Sequence, residues 1–217
     1  MNSAVIIPAF NESKTIGKVV KESKNIVDYV VVVDDGSQDD TASEASKNGA
    51  EVIGIDVNSG KANAIRQGLR NCNGYDVVLL MDGDMQHSPS EIPQLIGCIE
   101  NGADLCIGSR FLKKETPMPI INQISNTVAR TLISLLAGQK ISDPQSGFRA
   151  IKGSRISELD LKAERYAIEH IMILEASKKK FKICEVPISC RYEGEKSHIN
   201  PVKDSLRVIY YLLKFYL

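Results

Sequence analysis

Apolar positions in the first half of the chain fall into short unbroken runs: AVIIP at 4–8, YVVVVD at 29–34, EVIGI at 51–55, DVVLLMD at 76–82 and DLCIGS at 104–109. Each is short for a helix and lacks the strict alternation of a half-exposed strand, so each reads as a strand buried on both faces. Between the runs the spacing becomes helical, with Ile16, Val19 and Val20 on one stripe and further helices over 40–48, 61–71 and 89–100. Strands apolar on both faces and separated by helices predict an α/β fold with a mostly parallel central sheet flanked by helices.

The second half changes character. NQISNTVARTLISLLAG (122–138) predicts one long helix stopped by Gly138. A short strand around FRAIK follows, then a helix over 165–179 and a strand within FKICEVPISCRY. Pro201 opens a last helix in which Val202, Leu206, Ile209, Leu213 and Tyr216 form one stripe and Lys203, Arg207 and Lys214 another. The pattern divides into a domain over 1–195, with halves at 1–109 and 110–195, and a C-terminal amphipathic helix over 196–217. That helix suits a membrane interface, or packing on the domain or on a second copy in a homodimer.

Charge narrows the partners: 27 basic residues balance 27 acidic ones, which argues against nucleic acid as a bulk partner. The five cysteines, at 72, 98, 106, 184 and 190, are odd in number and never spaced as CxxC. Neither a disulfide framework nor a zinc site is expected from them, and a reducing cytoplasm fits. MNSAVIIPAF lacks the basic and long apolar regions of a secretory signal, and no segment has the run of apolar residues that a membrane span needs.

In open parallel sheets ligands bind beyond the carboxyl ends of the strands, which makes the polar residues there the candidates for chemistry. The fourth run ends in Asp82-Gly83-Asp84-Met85-Gln86. In extended chain, residues two apart point the same way at roughly 6.6 Å. Asp82 and Asp84 can therefore approach one Mg2+ or Mn2+, with Gln86 as a neutral oxygen ligand and substrate phosphate completing the shell. The tripeptide alone reads first as a turn. At the second run, Asp34 and Asp35 repel each other unless donors reach them; a nucleotide offers such donors, and helix capping is the simpler use. Lys61 follows Gly60 at a helix start, where it can face phosphate.

Taken in order, PAFNE, VVVDDGSQDDT, NSGKANAIRQGL, LLMDGDMQHSPSEIP, IGSRF and DPQSGFRA resemble the family 2 glycosyltransferases, and among them the polyprenyl-phosphate (dolichyl-phosphate) sugar synthases. The resemblance runs from Ala4 to Tyr192. It implies a GT-A fold, a nucleotide-sugar donor such as GDP-mannose or UDP-glucose, and transfer of the hexose with inversion. It places base and ribose against Pro8, Ala9, Asn11, Glu12, Asp34 and Asp35, and the metal on Asp82, Asp84 and Gln86. Arg110, Arg130 and Arg149 fall where the family presents arginines to the acceptor phosphate or donor diphosphate, with Ser146 and Gly147 shaping that loop.

A phosphate monoester acceptor is already largely ionised, its second pKa being about 6, so it needs no catalytic base. Asp143 is the one candidate for a base, with capping as its alternative role; His87, His170 and His198 are isolated. The expected enzyme is peripheral on the cytosolic face of a membrane. Two rivals remain open: transfer to a hydroxyl of a soluble glycan or protein, and nucleotide-sugar binding without catalysis.

Overall fold

The computed structural model describes residues 1–112, 120–162 and 168–190. Within them the chain forms β1 (Ser3–Ala9), α1 (Ile16–Lys24), β2 (Tyr29–Asp34), α2 (Thr41–Lys47), β3 (Glu51–Gly54), α3 (Lys61–Asn71), β4 (Val77–Leu80), α4 (Ile92–Glu100), β5 (Leu105–Ser109), α5 (Ile120–Ala137), β6 (Arg149–Lys152), α6 (Ile168–Lys178) and β7 (Ile183–Pro187). The elements expected from the apolar spacing are all present up to β7. The expected final helix lies outside the described residues.

The strands make one seven-stranded sheet in the order β3-β2-β1-β4-β6-β5-β7. Alternation along β1 shows why the runs are unbroken. Ala4 and Ile6 face a layer containing α3, α5 and α6, while Val5, Ile7 and Ala9 face α1, α2 and α4. Both faces are covered, so neither tolerates a polar position. α6 is buried along its whole length from Ile168 to Ala176, as a helix enclosed on all sides must be. α5 ends as expected, with Gly138 at φ +67°.

β6 alone runs antiparallel, pairing Leu80 with Arg149 on β4 and Ile107 with Arg149 on β5. This reversal brings the loop before β6 to the carboxyl ends of β4 and β5, where the ligand cleft of a parallel sheet opens.

The cysteines depart from expectation. β5 and β7 pair in parallel with Cys106 beside Cys184, and α4 crosses the same face carrying Cys98. The sulfurs of Cys98 and Cys184 lie in contact, although 86 residues separate them in the chain. Their spacing carried no sign of this because the proximity is made by strand register.

Candidate active site

The site is built where β1, β2, β4 and β5 end. Beyond β1, Asn11 adopts φ +56°, and its side chain accepts from the Gln38 N–H at 2.8 Å while its own N–H donates to Ser37 Oγ at 2.9 Å. The Glu12 N–H donates to Thr41 Oγ1 at 2.8 Å. The segments after β1 and β2 thus lock together at the strand ends, with Ala9 buried in the core, Pro8 and Glu12 half-buried and Asn11 exposed.

Asp34 and Asp35 are both buried, and backbone groups answer their charge. Asp34 Oδ1 accepts from the Ser37 N–H at 3.0 Å. Asp35 accepts from the Ser59 N–H at 2.8 Å and the Gly60 N–H at 2.7 Å, fixing the loop that leads into α3. The donors expected from a nucleotide are therefore supplied by the chain, and neither carboxylate needs a ligand to tolerate the other.

That anchoring places Lys61, the first residue of α3, inside the cleft. Its Nζ lies 2.6 Å from Asp82 Oδ1 and 2.8 Å from Glu169 Oε1. Burial works against the lysine's charge, but the two carboxylates outweigh it and raise its pKa. Burial likewise opposes ionisation of Asp82, and the Lys61 ammonium outweighs it, holding Asp82 below the ordinary carboxylate range. Asp84 is the contrary case: burial, and then the charge of Asp82, push it up to about 6. One backbone donor, the Gln86 N–H at 3.0 Å, reaches Asp84 Oδ1. Gln86 stands beside them, its Oε1 accepting from Cys190 Sγ at 4.0 Å.

Carrying the β4–β6 register two residues past Leu80 and Arg149 sets Gly147 opposite Asp82. A Cβ on Gly147 would lie 2.5 Å from Asp82 Oδ2 and 2.8 Å from Lys61 Nζ, so only glycine admits this approach.

The arginines divide. Arg110, after β5, forks onto Asp143 with Nε to Oδ2 at 2.7 Å and an Nη2 to Oδ1 bond at 2.9 Å, and its backbone N–H donates to the same carboxylate. Asp143 is fully buried, and its N–H and that of Ser142 donate to Glu185 on β7. Both oxygens of Asp143, the one base candidate, are thus engaged by a guanidinium. Arg149, expected at a phosphate, is instead fully buried. It donates to the carbonyls of Ser146 at 2.8 Å, Glu169 at 2.5 Å and Pro144 at 2.9 Å, so it holds the loop from inside. Burial lowers its pKa to about 10. Ser146 is buried in that loop, its Oγ accepting from the Phe148 N–H. Arg130 lies half-buried on α5, and among the described residues no hydrogen bond or ion pair ties it to the Asp82 cluster.

Paired acids at the fourth strand, a half-buried lysine facing them and a loop folded over both match what the ordered strand-end motifs imply. The model of glycosyl transferase family 2 matches residues 4–159. The chain belongs to that family. As a family 2 glycosyltransferase it is 37% identical to an uncharacterized protein of Methanocaldococcus jannaschii, the match covering 97% of each chain. It is 33% identical to the dolichol-phosphate mannosyltransferase of Pyrococcus furiosus, over 99% of this chain and 64% of the relative. It is also 33% identical to the UDP-N-acetylglucosamine–dolichyl-phosphate N-acetylglucosaminyltransferase of Methanococcus voltae, over 96% and 94%. Among solved structures it resembles the Mycobacterium tuberculosis glucosyl-3-phosphoglycerate synthase in complex with Mn2+, UDP and glucosyl-3-phosphoglycerate. The TM-score is 0.79 at 25% identity, covering 98% of this chain and 79% of that one.

Sequence reasoning missed Glu169, which completes the lysine's coordination in this transferase. Among the described residues its Oε2 has no hydrogen-bond partner. The signal was there in YAIEHIMILEA: an acid and a histidine beside an otherwise apolar helix stretch that α6 buries on every side. His170 is buried, with both ring nitrogens unpartnered among the described residues, and burial, then Arg149, lower its pKa to about 3; it is a neutral core residue. His87 stacks on Phe148 with ring centroids 5.5 Å apart, and burial lowers its pKa too. His198 lies outside the described residues.

Proposed function

We propose that this glycosyltransferase moves a hexose, mannose or glucose, from a nucleoside-diphosphate sugar to a polyprenyl or dolichyl phosphate, with inversion and with Mg2+ or Mn2+. The observation that carries the reading is the Arg110–Asp143 fork. The carboxylate best placed to serve as base is already committed to a cation, so the site suits an acceptor that arrives ionised.

The metal fits the residues present. Asp84 stands at about 6 because two half-buried carboxylates share too little positive charge, and Lys61 already offers Asp82 a cation. Asp82, Asp84 and Gln86 are the residues that would hold the ion, whose chemistry is to stabilise charge on the departing nucleoside diphosphate. The strand-end segment of Pro8, Ala9, Asn11 and Glu12 receives the base and ribose, and Asp34 and Asp35 keep that segment and the α3 loop in place. Lys61 exchanges Asp82 or Glu169 for a diphosphate oxygen. Arg110, still paired with Asp143, directs its positive charge at the acceptor phosphate. Alignment of the phosphate oxygen against the sugar carbon supplies the remaining acceleration.

Among the described residues no helix is long and apolar enough to cross a membrane. A lipid acceptor then requires peripheral contact with a bilayer, which the reading assigns to the cytosolic face, where nucleotide sugars are available. The relatives in Pyrococcus furiosus and Methanococcus voltae, whose names carry dolichyl phosphate, support the acceptor class. The experiment is a panel of UDP- and GDP-sugars with polyprenyl phosphate, with and without EDTA, reading nucleotide release and glycolipid. Donor turnover that yields no glycolipid with any donor rejects the lipid acceptor and favours a soluble one.

A further inference from the structure

Away from the cleft, three thiols from three elements converge under the far edge of the sheet. Cys98 comes from α4, Cys106 from β5 and Cys184 from β7, and their sulfurs all lie within 4.8 Å of one another. Cys98 and Cys184 open onto a surface cavity of about 410 Å³ that Gln94 and Lys182 also line. Cys106 is fully buried beside them.

Two chemistries could use such a cluster. A disulfide between Cys98 and Cys184 leaves Cys106 without a part, and their Cα atoms stand 7.1 Å apart. Disulfides usually close Cα separations of about 4.4–6.8 Å. A metal ion between the sulfurs needs no such short Cα separation, but the Cys98 and Cys184 sulfurs, in contact here, part to admit it. Thiolates bound tetrahedrally at about 2.3 Å sit about 3.8 Å from one another, which the cluster can meet, and all three sulfurs then take part. We propose that Cys98, Cys106 and Cys184 form a thiolate site for a soft or borderline divalent cation of the zinc type, with its fourth position open to the cavity.

The surroundings suit the charge. Binding exchanges three thiol protons for one M2+, releasing three H+ and leaving a complex of net charge −1. Lys182, on the cavity wall, offers a compensating positive charge, against which the Glu185 carboxylate on the same wall counts. Gln94, one helical turn before Cys98, offers an oxygen for the fourth position. Because binding releases three thiol protons, uptake strengthens as pH rises.

The location gives the site a consequence. Cys184 precedes Glu185, the residue that holds the backbone of Ser142 and Asp143 and, through Asp143, Arg110. An ion tying β7 to α4 and β5 pins an edge strand on which that chain of contacts depends.

The test titrates the full chain, reduced with a phosphine and freed of metal, with Cd2+ and then Zn2+ in excess Mg2+, which occupies carboxylate sites. Ultraviolet thiolate-to-metal charge transfer and bound metal per chain are read, with thermal melting alongside. One ion per chain is expected, with a charge-transfer band and a rise in melting temperature. Cys98→Ser and Cys184→Ser should each weaken uptake by at least about 100-fold, the upper end of what losing a mere outer-sphere partner costs. Cys190→Ser should leave uptake unchanged. No band in the native chain, or an undiminished band in the C98S/C184S double variant, overturns the proposal. If the serine variants do not fold, X-ray absorption of the Cd-loaded native chain decides: three sulfur ligands support the site, and fewer than three contradict it.

Discussion

The two sides of the cleft handle buried charge in opposite ways. On the donor side, Asp34 and Asp35 are anions held by backbone N–H groups of Ser37, Ser59 and Gly60. On the acceptor side, Arg149 is a cation held by backbone carbonyls, Glu185 is an anion held by the backbone N–H groups of Ser142 and Asp143, and Arg110 and Asp143 answer each other side chain to side chain. Backbone partners are fixed by the fold, so the donor side is preorganised. A side-chain ion pair can trade one partner for a ligand, so the acceptor side is the adaptable one. Asp82 sits on the seam, reached by Lys61 from one side and by Gly147 from the other.

The largest break in this comparison comes at the seam. Asp82→Asn should lower kcat/KM for sugar transfer by about 1000-fold, in the range for removing a preorganised electrostatic group, while circular dichroism stays native. Loss of less than about tenfold would show that the paired acids do not serve the chemistry. Next is the buried cation. Arg149→Met leaves three carbonyls without donors and should cost about 3 kcal/mol in urea unfolding, more than it costs in donor binding by the folded fraction. A variant of native stability that fails only with acceptor phosphate would place Arg149 at the substrate after all.

Gly147→Ala is slightly milder. The added methyl must push apart Asp82 and Lys61, and a shift of about 1 Å at such a site is worth about 100-fold in rate. A fully active variant would mean that the loop moves aside at no cost. The smallest effect concerns Asp84. Its folded pKa of about 6 exceeds the ordinary value, so this group favours folding below about pH 4, and that contribution is lost as pH rises through 6. Without metal, Asp84→Asn should therefore gain on the order of 1 kcal/mol at pH 7 and nothing at pH 4, read from urea midpoints in EDTA. Equal effects at both values would show that proton linkage is not the cause. Asp82 runs the other way, its lowered pKa favouring folding above the ordinary carboxylate range and less as pH falls.

The same comparison explains what the sequence made legible. Runs such as VVLLM announce strands because both faces are covered, and the donor-side acids stand at their ends in chain order. The direction of β6 was not legible, since the four residues RAIK read alike both ways and only pairing with β4 and β5 reverses them. Without that reversal, Gly147 could not be set against Asp82, nor Arg149 turned inward. Glu169 is distant in sequence from every strand end and enters the site through α6. The backbone donors to Asp34 and Asp35 are likewise invisible in a string of side chains. The thiol cluster depends on the register of β5 with β7, which no cysteine spacing records.

The central claim is that the acceptor arrives as an ionised phosphate and that the site therefore dispenses with a base. Transfer from the best donor to polyprenyl phosphate, set beside the matching polyprenol under identical Mg2+, tests it most directly. The account predicts glycolipid from the phosphate, abolished by EDTA, and none from the alcohol. Comparable transfer to the alcohol, or transfer unchanged by EDTA, would contradict it.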